Sequence, residues 1–585
     1  MTKAGPRALA TNLRSPDPTW TLPSAPDPAA VSTLVESLKL PAAVCAVLVK
    51  RGVTAPEQAK DFLRPRLEHL HDAARLADGS AAAERIASAI RARETILVHG
   101  DYDVDGICAT ALLTRWLRTL GGEVVPFVPH RLRDGYDFGP AGLAAARSAG
   151  ATLIVTVDCG TVAHETVASA NREGVDVVIT DHHTVAGSLP DAVAVVNPQR
   201  SDCEYPDKRL CGTGVAYRIG ELVADALDAD SAPLATYLDL VALATVADLV
   251  PLRGENRVLV HHGLRRFART RVRGLAALLK VAGVPAAEVT SGKLGFVVAP
   301  RINAAGRIGE SADALRLLLT DDEAEARRLA EQLDNTNGDR QAEDKRTLAE
   351  ALQMLEREYD PGSDFGVVLA GEGWHPGVIG IVASRVVERI HRPVVLIALD
   401  GERGRGSARS IPGFDLYEAL QACSAHMLRI GGHKQAAGMD VTRDSVAALR
   451  EAFNAEAGAR LDSEDLLPRL CTDVVLDLEQ VDLQLVHWMS YLGPHGMGNP
   501  GPLFVASAAA VQRAKVVGTN HLKATLSQGA GRINAIGFGL ADRHPPEAVM
   551  AVPQDVVFRL ERNEWKGTAR VQARLCALRA SASAS

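Results

Sequence analysis

The chain has 585 residues, of which 47% are hydrophobic and 23% are charged, so it is too long for one hydrophobic core and predicts about three or four globular domains. Its net charge of −7 excludes a protein that holds nucleic acid through a uniformly basic surface. The 8 scattered cysteines form no CxxC pair and no apolar run approaches about 18 residues, which excludes a disulfide frame and a membrane span and predicts a cytoplasmic protein.

The first 93 residues are predicted to form a loose arm followed by a helical segment. Residues 1–30 are rich in Pro, Ser and Ala, whereas the apolar residues from Val31 to Arg93 recur at helical spacing. The period of the pattern changes after Arg93. We therefore expect a new domain to begin near residue 94.

Residues 94–320 are predicted to form an α/β domain with a largely parallel sheet. Short β-branched runs alternate with helical segments, as in sheets that helices cover on both faces. The predicted strands are Thr95–Val98, Val124–Val128, Leu153–Val157, Val175–Thr180 and Val193–Val196. The predicted helices are Ile107–Leu120, Pro140–Ser148 and Val162–Glu173, and the residue pattern is again helical at 214–247 and 256–282.

The rest of the chain is predicted to contain a long helix and two smaller domains. The segment 321–362 is charged and helical in period, which is typical of a helix that spans two domains. Residues 363–465 read as a smaller α/β domain. Residues 466–585 contain short β-like runs between polar turns, which predicts a small β-barrel similar to an oligonucleotide-binding fold.

The C-terminal region is basic, in contrast to the rest of the chain. From Gly501 to Ser585 there are 11 Lys and Arg residues against 5 Asp and Glu residues. This balance indicates either a surface that binds a polyanion or an ordinary solvated face.

Acidic and histidine side chains follow three of the predicted strands. The stretch "HGDYDVDG" (His99–Gly106) follows the first strand, Asp158 follows the third, and "DHH" (Asp181–His183) follows the fourth. A further acid, Asp248, ends a helical run. Because open α/β sheets place their ligands at the carboxyl ends of the strands, we expect these side chains to meet at one edge.

The first of these stretches has an alternating pattern of its own. In an extended chain, residues of one parity project to one side, which would bring four side chains together: His99, Asp101, Asp103 and Asp105. A calcium-binding EF-hand is excluded, because Leu112 stands at the twelfth position, where that loop needs an acidic ligand, and because a strand precedes the loop.

A cluster of at least five carboxylates and up to three imidazoles predicts two divalent cations, because without cations the acids would be pushed towards protonation. Ligation by oxygen and nitrogen without thiolate favours Mn²⁺ or Mg²⁺ over structural zinc. Each residue alone is more often a helix N-cap or a hydrogen-bonded residue, so the joint pattern is the evidence. Two such ions about 4 Å apart are typical of enzymes that hydrolyse phosphodiesters. The sequence has no P-loop motif, which argues against hydrolysis of a nucleoside triphosphate by a P-loop.

Four motifs resemble those of the DHH phosphoesterase superfamily: His99–Gly106, Val157–Gly160 ("VDCG"), Asp181–His183 and Ala244–Leu252 ("ATVADLVPL"). The resemblance implies that His99 and Asp103 bind one ion. It implies that Asp105, His182 and Asp248 bind the other, with Asp158 between the two ions and His183 against the scissile phosphate. Asp101 would act in catalysis, either as a direct ligand or by supporting a ligand.

Further motifs resemble the RecJ family of bacterial single-stranded-DNA exonucleases. They are Ala299–Glu310 ("APRINAAGRIGE"), Trp374–Arg385 ("WHPGVIGIVASR"), Gly404–Ser410 ("GRGSARS"), Gly431–Gly438 ("GGHKQAAG"), Leu492–Pro500 ("LGPHGMGNP") and Asn563–Gly567 ("NEWKG"). The resemblance implies a DHH domain, a long helix, a DHH-associated domain and an oligonucleotide-binding barrel. It implies a 5′→3′ exonuclease that releases 5′-mononucleotides in DNA recombination and repair, acts as a monomer, and works with single-strand-binding protein and a helicase.

Three residues are implied by the same resemblance to hold the 5′-terminal phosphate, namely Arg301, Ser407 and Arg409. The stretch "GSARS" is expected to be a small-residue turn with exposed backbone amides. The alternative is that the turn is merely tight and that Arg301 is an internal ion-pair partner. His433 is expected near the nucleotide, with a glycine-rich packing turn as the alternative.

The barrel is expected to hold single-stranded DNA through phosphate contacts, from Arg513, Lys515, Lys523 and Lys566. Trp565 is either a stacking face or a core residue.

Two other functions stay open on the sequence alone. One is a DHH phosphodiesterase for nanoRNA or cyclic dinucleotides, although such chains are usually shorter and lack the barrel. The other is a non-catalytic relative that binds DNA. The full set of expected metal ligands favours an active enzyme over that relative.

Overall fold

The computed structural model describes residues 16–185, 187–565 and 567–582, together with Leu13. They form two compact units. The large unit comprises 22–334 and 471–585, and the small unit comprises 335–470 with the described residues before 22. Among the described residues, no helix combines the length and the apolar character that crossing a membrane requires.

The N-terminal region is mainly helical. Its elements are strand β1 (Thr19–Thr21), helices α1 (Pro28–Leu38), α2 (Ala42–Lys50), α3 (Pro56–Leu63) and α4 (Gly79–Ala92), and 3₁₀ turns at Leu67–His69 and Ala73–Arg75. Helix α1 begins where the Asp27 carboxylate accepts a hydrogen bond from the Ala29 N–H, with Pro28 in the first turn. The apolar faces of α1–α3 share one hydrophobic core with the C-terminal barrel.

The centre of the large unit is a five-stranded parallel sheet, as the alternating pattern predicts. The strands run in the order β3-β2-β4-β5-β6. Its elements are β2 (Thr95–Gly100), α5 (Val104–Thr119), β3 (Glu123–Phe127), α6 (Pro140–Ala149), β4 (Leu153–Val157), α7 (His164–Arg172), β5 (Asp176–Thr180) and β6 (Ala194–Val196). Strand β4 is buried throughout, which explains its continuous run of apolar residues.

A set of helices completes this domain. They are α8 (Gly212–Ala226), α9 (Leu238–Ala247), α10 (Gly254–Arg266), α11 (Arg273–Val281), α12 (Ser291–Lys293), α13 (Ala299–Ile308) and α14 (Ser311–Leu319). A π-helical segment, Leu294–Val298, joins α12 to α13, and 3₁₀ turns lie at Ala232–Tyr237, Phe267–Arg269 and Ala286–Glu288. The predicted helical segment 214–247 therefore contains two helices, α8 and α9, separated by a turn.

The predicted spanning helix is α15 (Glu323–Glu358), a single helix of 36 residues. The small unit then continues with β7 (Val367–Glu372), α16 (Ile379–Ile390), β8 (Val394–Asp400), β9 (Arg403–Arg409), α17 (Leu416–Ala422), β10 (Arg429–His433), β11 (Ala436–Thr442) and α18 (Ser445–Arg460), with a 3₁₀ turn at Ser424–His426. The strands form one mixed sheet in the order β10-β11-β9-β8-β7.

The C-terminal region is a closed five-stranded barrel. Its elements are β12 (Arg469–Cys471), β13 (Val474–Val475), α19 (Leu483–Ser490), β14 (Phe504–Val517), β15 (His521–Gln528), β16 (Gly531–Gly537), α20 (Pro546–Ala551), β17 (Gln554–Trp565) and β18 (Thr568–Ala580), with a 3₁₀ turn at Leu478–Gln480. Strand β14 pairs with both β15 and β17, and this double pairing closes the barrel. Helix α20 lies between the third and fourth barrel strands.

Candidate metal centre and nucleic-acid surfaces

The turn after β2 places the first acidic motif, and it does so differently from the prediction. The strand ends at Gly100 and α5 begins at Val104, so the expectation of an extended chain with four side chains on one side is wrong. Asp103 is instead the N-cap of α5, where its Oδ1 accepts hydrogen bonds from the N–H groups of Asp105 (2.9 Å) and Gly106 (3.0 Å). The helix start, rather than strand parity, brings these carboxylates together.

Asp105 lies at the amino-terminal end of another helix, α8. Its carboxylate accepts hydrogen bonds from the N–H groups of Gly212 and Thr213, each at 2.7 Å, and from the Thr213 hydroxyl at 2.6 Å. The positive end of the helix dipole favours a carboxylate there. Asp105 is therefore held in one orientation in the core, with 1% of its surface exposed.

Asp158, directly after β4, packs against the same helix start. It has a left-handed backbone conformation with φ of 63°, which turns the chain sharply at the end of the strand. A Cβ atom at Gly212 would lie 2.5 Å from Oδ1 of Asp158. Glycine at position 212 is therefore required for the two acids, Asp105 and Asp158, to approach α8 together.

The "DHH" stretch after β5 is organised by its own aspartate. Oδ1 of Asp181 accepts hydrogen bonds from the N–H groups of His182 (2.7 Å) and His183 (3.1 Å) and lies 2.8 Å from Nδ1 of His183. Burial would lower the pKa of His183, but the Asp181 carboxylate raises it to about 9. Asp181 thus holds the backbone of both histidines and the imidazole of His183.

His182 lies at the centre of the acidic cluster. Its Nε2 is 3.0 Å from Oδ1 of Asp158, 3.7 Å from Oδ2 of Asp248 and 3.8 Å from Oδ2 of Asp105. Ligand atoms of Asp105, His182 and Asp248 all lie within 4.8 Å of one another, and so do those of Asp158, His182 and His183. The structure therefore brings together side chains that are up to 143 positions apart in the sequence (105 to 248).

Several buried donor atoms in this cluster fit a cation. Among the described residues, the atoms buried without a hydrogen-bond partner include four of this cluster: His99 Nε2, Asp101 Oδ1, Asp158 Oδ1 and His182 Nε2. Unpartnered buried polar atoms are costly unless something satisfies them. The oxygen and nitrogen donor set fits Mn²⁺ or Mg²⁺.

The raised pKa values of the acids also indicate a cation site. Burial, followed by the charge of the neighbouring acids, raises the pKa of Asp158 and of Asp101 well above the ordinary value. The same two causes raise the pKa of Asp248 to about 8. Carboxylates packed this closely repel one another when ionised, and a cation among them removes that repulsion.

His99 lies deep in the same domain. Its ring is fully buried between Phe127 and Phe138, with ring centroids 5.3 and 5.2 Å away, and burial lowers its pKa to about 4. Neither group of three close ligand atoms includes it. A Cβ atom at Gly142 would lie 2.6 Å from its Nε2, so glycine at position 142 leaves room for this ring.

A cavity of about 280 Å³ opens beside the carboxylates. Asp101, Asp103, Asp105 and Asp248 line it together with residues that the sequence analysis missed, which are Tyr102, Arg131, Tyr136, Asn303, Gly306 and Arg307. The guanidinium of Arg131 lies over the Tyr102 ring at 5.2 Å. The Tyr136 hydroxyl lies 3.1 Å from Nε2 of His183. The cavity thus combines an acidic floor with two arginines, a pairing suited to a phosphate held on cations.

Arg301, on the same helix as Asn303 and Arg307, has other contacts. Its Nε donates to Oδ1 of Asp334 at 2.8 Å, and its Nη1 donates to the Val297 carbonyl at 2.5 Å. Its role in holding the 5′-phosphate stays a prediction. The ion pair with Asp334 is the arrangement expected under the alternative hypothesis, in which Arg301 is an internal ion-pair partner.

In the small unit, Ser407 and Arg409 lie side by side at the end of β9. The expected turn with exposed amides is wrong: β9 pairs with β8 and β11 through this stretch, so its backbone belongs to the sheet. Arg409 Nη1 lies 3.1 Å from Ser407 Oγ. A Cβ atom at Gly380, at the start of α16, would lie 2.8 Å from the Arg409 guanidinium and 2.9 Å from Ser407 Oγ.

His433 ends strand β10 of the same unit and is exposed. It pairs with Ala436 across a hairpin, so the "GGHKQAAG" stretch is a hairpin of two strands. Its expected contact with the nucleotide stays a prediction.

The barrel carries its basic residues on the outside. Lys515 on β14 pairs directly with Lys523 on β15, and both side chains are exposed, as is that of Arg513. Like charges directly opposite each other destabilise a sheet. A cavity of about 620 Å³ lies at Lys523 and is also lined by Asn534, Asn563, Thr568, Arg570, Val571 and Gln572. Lys566 lies outside the described residues, and so does the side chain of Trp565.

Three family models match the chain. They are the DHH family N-terminal domain at residues 95–245, the DHHA1 domain at 363–459 and the RecJ OB domain at 472–577. The first covers the parallel sheet and most of the acidic motifs, the second covers Ser407 and Arg409, and the third covers the barrel.

Named proteins are similar along most of the chain. The single-stranded-DNA-specific exonuclease RecJ of Bacillus subtilis is 36% identical over 94% of this chain and 69% of its own length. The protein of the same name from Dickeya dadantii is 37% identical over 93% of this chain and 97% of its own. A crystal structure of RecJ from Thermus thermophilus with Mn²⁺ has a TM-score of 0.83 at 32% identity and covers 96% of this chain and 79% of that one; a structure with Mg²⁺ has a TM-score of 0.76.

Proposed function

The chain belongs to the RecJ family of single-stranded-DNA-specific exonucleases, and on that premise we propose how its own residues carry out the reaction. It is a metal-dependent nuclease. It hydrolyses single-stranded DNA from the 5′ end towards the 3′ end and releases 5′-mononucleotides, in recombination and repair. The observation that carries this proposal is the meeting of Asp105, Asp158, His182 and Asp248 at the carboxyl edge of the parallel sheet.

The cations are held by the acidic cluster in this proposal. Asp105, His182 and Asp248 would hold one ion, His99 and Asp103 would hold the other, and Asp158 would serve both. Two divalent cations supply Lewis acidity towards both the phosphodiester and the attacking water. Asp101, whose Oδ1 is buried without a hydrogen-bond partner among the described residues, either joins the ligands or supports one of them.

The substrate phosphate is oriented by cationic side chains around the cavity. His183, whose Nδ1 lies 2.8 Å from Asp181 Oδ1, presents its imidazole to the phosphate. Arg131 and Arg307 line the same cavity and offer planar, multidentate donors. Anchoring the phosphate before the reaction lowers the entropic part of the barrier.

The 5′-terminal phosphate is gripped in the small unit. Ser407 and Arg409 present a hydroxyl and a guanidinium at the amino-terminal end of α16, a helix of 12 residues whose dipole also favours an anion. Both groups pack against Gly380, where a Cβ atom would clash with them. His433 of the same unit is a further proposed contact, and the role of Arg301, which lies in the large unit, stays a separate prediction. A fixed grip on the chain end limits cleavage to steps of one nucleotide.

The barrel holds the strand beyond the cleaved end. Arg513, Lys515 and Lys523 contact the phosphates, with Lys566 as a further proposed contact. The pairing of Lys515 with Lys523 supports this role, because two adjacent ammonium groups favour an anion between them.

The cellular setting is also proposed. All 8 cysteines are unpaired, which suits the reducing cytoplasm. Action as a monomer, with single-strand-binding protein and a helicase as partners, rests on family membership alone.

The test is digestion of end-labelled DNA in Mn²⁺ or Mg²⁺. A long 5′-phosphorylated single strand should be degraded from its 5′ end, a strand with a blocked 5′ end should resist, and chelation of the metal should stop the reaction. Preference for a dinucleotide over the long strand would instead favour the phosphodiesterase. Binding of the strand without cleavage would favour the non-catalytic relative.

A further inference from the structure

An aromatic ring stands in solvent on the helix that lines the catalytic cavity. Phe296 exposes 87% of its surface and belongs to the π-helical segment that runs directly into α13. Wide helical turns of this kind occur frequently at functional sites. A single exposed apolar residue needs no explanation, so the surroundings of Phe296 decide whether it has a role.

Phe296 lies on the same accessible face of the helix as two residues of the cavity. Position 296 is exposed and positions 300, 303 and 307 are half-buried, whereas Val298, Ile302 and Ala305 on the other side are buried. From position 300 onwards this spacing follows the α-helical repeat, and the wider π-helical turn ends at Val298. Asn303 and Arg307 line the cavity, so the stripe leads from Phe296 into it.

The distance along this stripe is short in terms of a nucleic-acid strand. Seven residues separate Phe296 from Asn303, which corresponds to roughly 10 Å along a helix axis. That span is about three nucleotides at the spacing of one strand in B-DNA. A strand with a phosphate at the cavity therefore reaches Phe296 within a few bases.

Two more exposed apolar side chains come from segments tied to this region. Leu249 exposes 64% of its surface directly after Asp248, with a left-handed φ of 59°. Met497 exposes 53% of its surface. Its carbonyl accepts a hydrogen bond from the Leu252 N–H at 2.8 Å, and the neighbouring His495 carbonyl accepts one from the hydroxyl of Ser291, at the start of the helical run that carries Phe296.

We propose that Phe296, together with Leu249 and Met497 on linked segments, is a stacking platform for unpaired nucleobases of the strand that enters the cavity. The proposal rests on the exonuclease function proposed above. Cationic groups in the cavity contact the phosphates, while these three uncharged side chains contact the faces of the bases. Base–aromatic stacking tolerates any sequence, because every base has a π-face. Bases in a duplex are already paired and stacked, so the platform favours single strands.

The test uses the full-length protein and strands that carry the fluorescent base 2-aminopurine at one of positions two to five from the 5′ end. In chelator, which prevents cleavage, binding should quench the fluorescence at one or more of these positions. Phe296→Ala should abolish that quenching and weaken strand binding by about 5- to 100-fold. Phe296→Trp, which keeps an aromatic ring, should retain both the quenching and the strand affinity of the native protein. Val193→Ala is the matched control, because Val193 is also an exposed apolar residue but precedes strand β6 at the opposite end of the sheet.

A second arm tests the platform without any change in the protein. An abasic site at the quenched position should weaken binding to the native protein and should have no further effect on Phe296→Ala. Unchanged quenching and affinity in Phe296→Ala, or equal losses in Val193→Ala, would overturn the platform. That failure is distinct from failure of the exonuclease function, in which the native protein would not digest the strand at all.

Discussion

The acidic edge of the parallel sheet and the basic face of the barrel are two surfaces of the same unit, built on opposite physical terms. At the sheet edge, Asp105 and Asp158 expose 1% and 2% of their surfaces, and hydrogen bonds or backbone geometry fix their orientation. On the barrel, Lys515 and Lys523 stand in solvent, and their ammonium groups are free to follow a flexible strand. In the proposed function, one surface positions atoms for a reaction and the other retains a polyanion.

The contrast between these two surfaces indicates at which positions a single substitution should have a large effect. A buried ligand has no substitute, because no neighbouring residue can take its place in a packed core. An exposed lysine shares its work with others, since screened surface charges act additively and weakly. Substitutions should therefore have effects that fall steeply from the sheet edge to the barrel.

The largest effect is expected for Asp158→Asn. Asparagine keeps the size of the side chain and tolerates the left-handed backbone, but it removes the charge between the two cations. Turnover of an end-labelled single strand should fall on the order of 10³-fold or more, whereas strand binding, measured by fluorescence anisotropy, should change little.

Asp228→Asn is the matched control, because Asp228 also has a left-handed backbone, with φ of 54°, and does not line the cavity. It should keep native turnover. Near-native turnover in Asp158→Asn would remove Asp158 from the metal centre.

A smaller effect is expected for Asp181→Asn. Its carboxylate orients His182 and His183 through three contacts at one oxygen, and partners of this kind contribute about 10- to 100-fold to metal affinity or activity. The loss should be measured as kcat and as the Mn²⁺ concentration for half-maximal activity. Asp191→Asn, on an exposed loop before β6, should leave both values unchanged; a native metal dependence in Asp181→Asn would contradict the positioning role.

The grip in the small unit should show a selective effect. Arg409→Ala should lower the preference for a 5′-phosphorylated strand over a 5′-hydroxyl strand by about 10- to 100-fold, because it removes charge-assisted hydrogen bonds to the phosphate. The ratio of kcat/KM for the two strands is the measurement. Arg403→Ala, at the exposed start of the same strand, should keep the native ratio, and an equal loss on both strands in Arg409→Ala would refute a 5′-phosphate contact.

The smallest effect is expected on the barrel. Lys515→Ala and Lys523→Ala should each weaken single-strand binding a few-fold and lower the slope of log affinity against log salt by about 0.7. The double variant should lower it by about twice as much. Lys60→Ala, which removes an exposed lysine paired with Glu57 on α3, should leave the slope unchanged; a native slope in the double variant would place the strand elsewhere.

The same contrast explains how much the sequence could predict. The five strands of the catalytic sheet were predicted within about three residues at each end, because buried parallel strands are continuous apolar runs. The metal-centre motifs were found because each follows a strand. Arg131 follows β3 in the same way, and Arg307 lies one helical turn after Asn303 on α13, but neither arginine belongs to the pattern of acids and imidazoles that marks the strand ends. The core shared by α1–α3 and the barrel joins residues hundreds of positions apart, which no local pattern encodes.

The pair of cations proposed for the acidic edge can be located by anomalous diffraction from crystals containing Mn²⁺. We expect two manganese peaks about 4 Å apart, one of them against Asp105, His182 and Asp248, and both within reach of Asp158. A single peak away from Asp158, or no peak at this edge of the sheet, would contradict it.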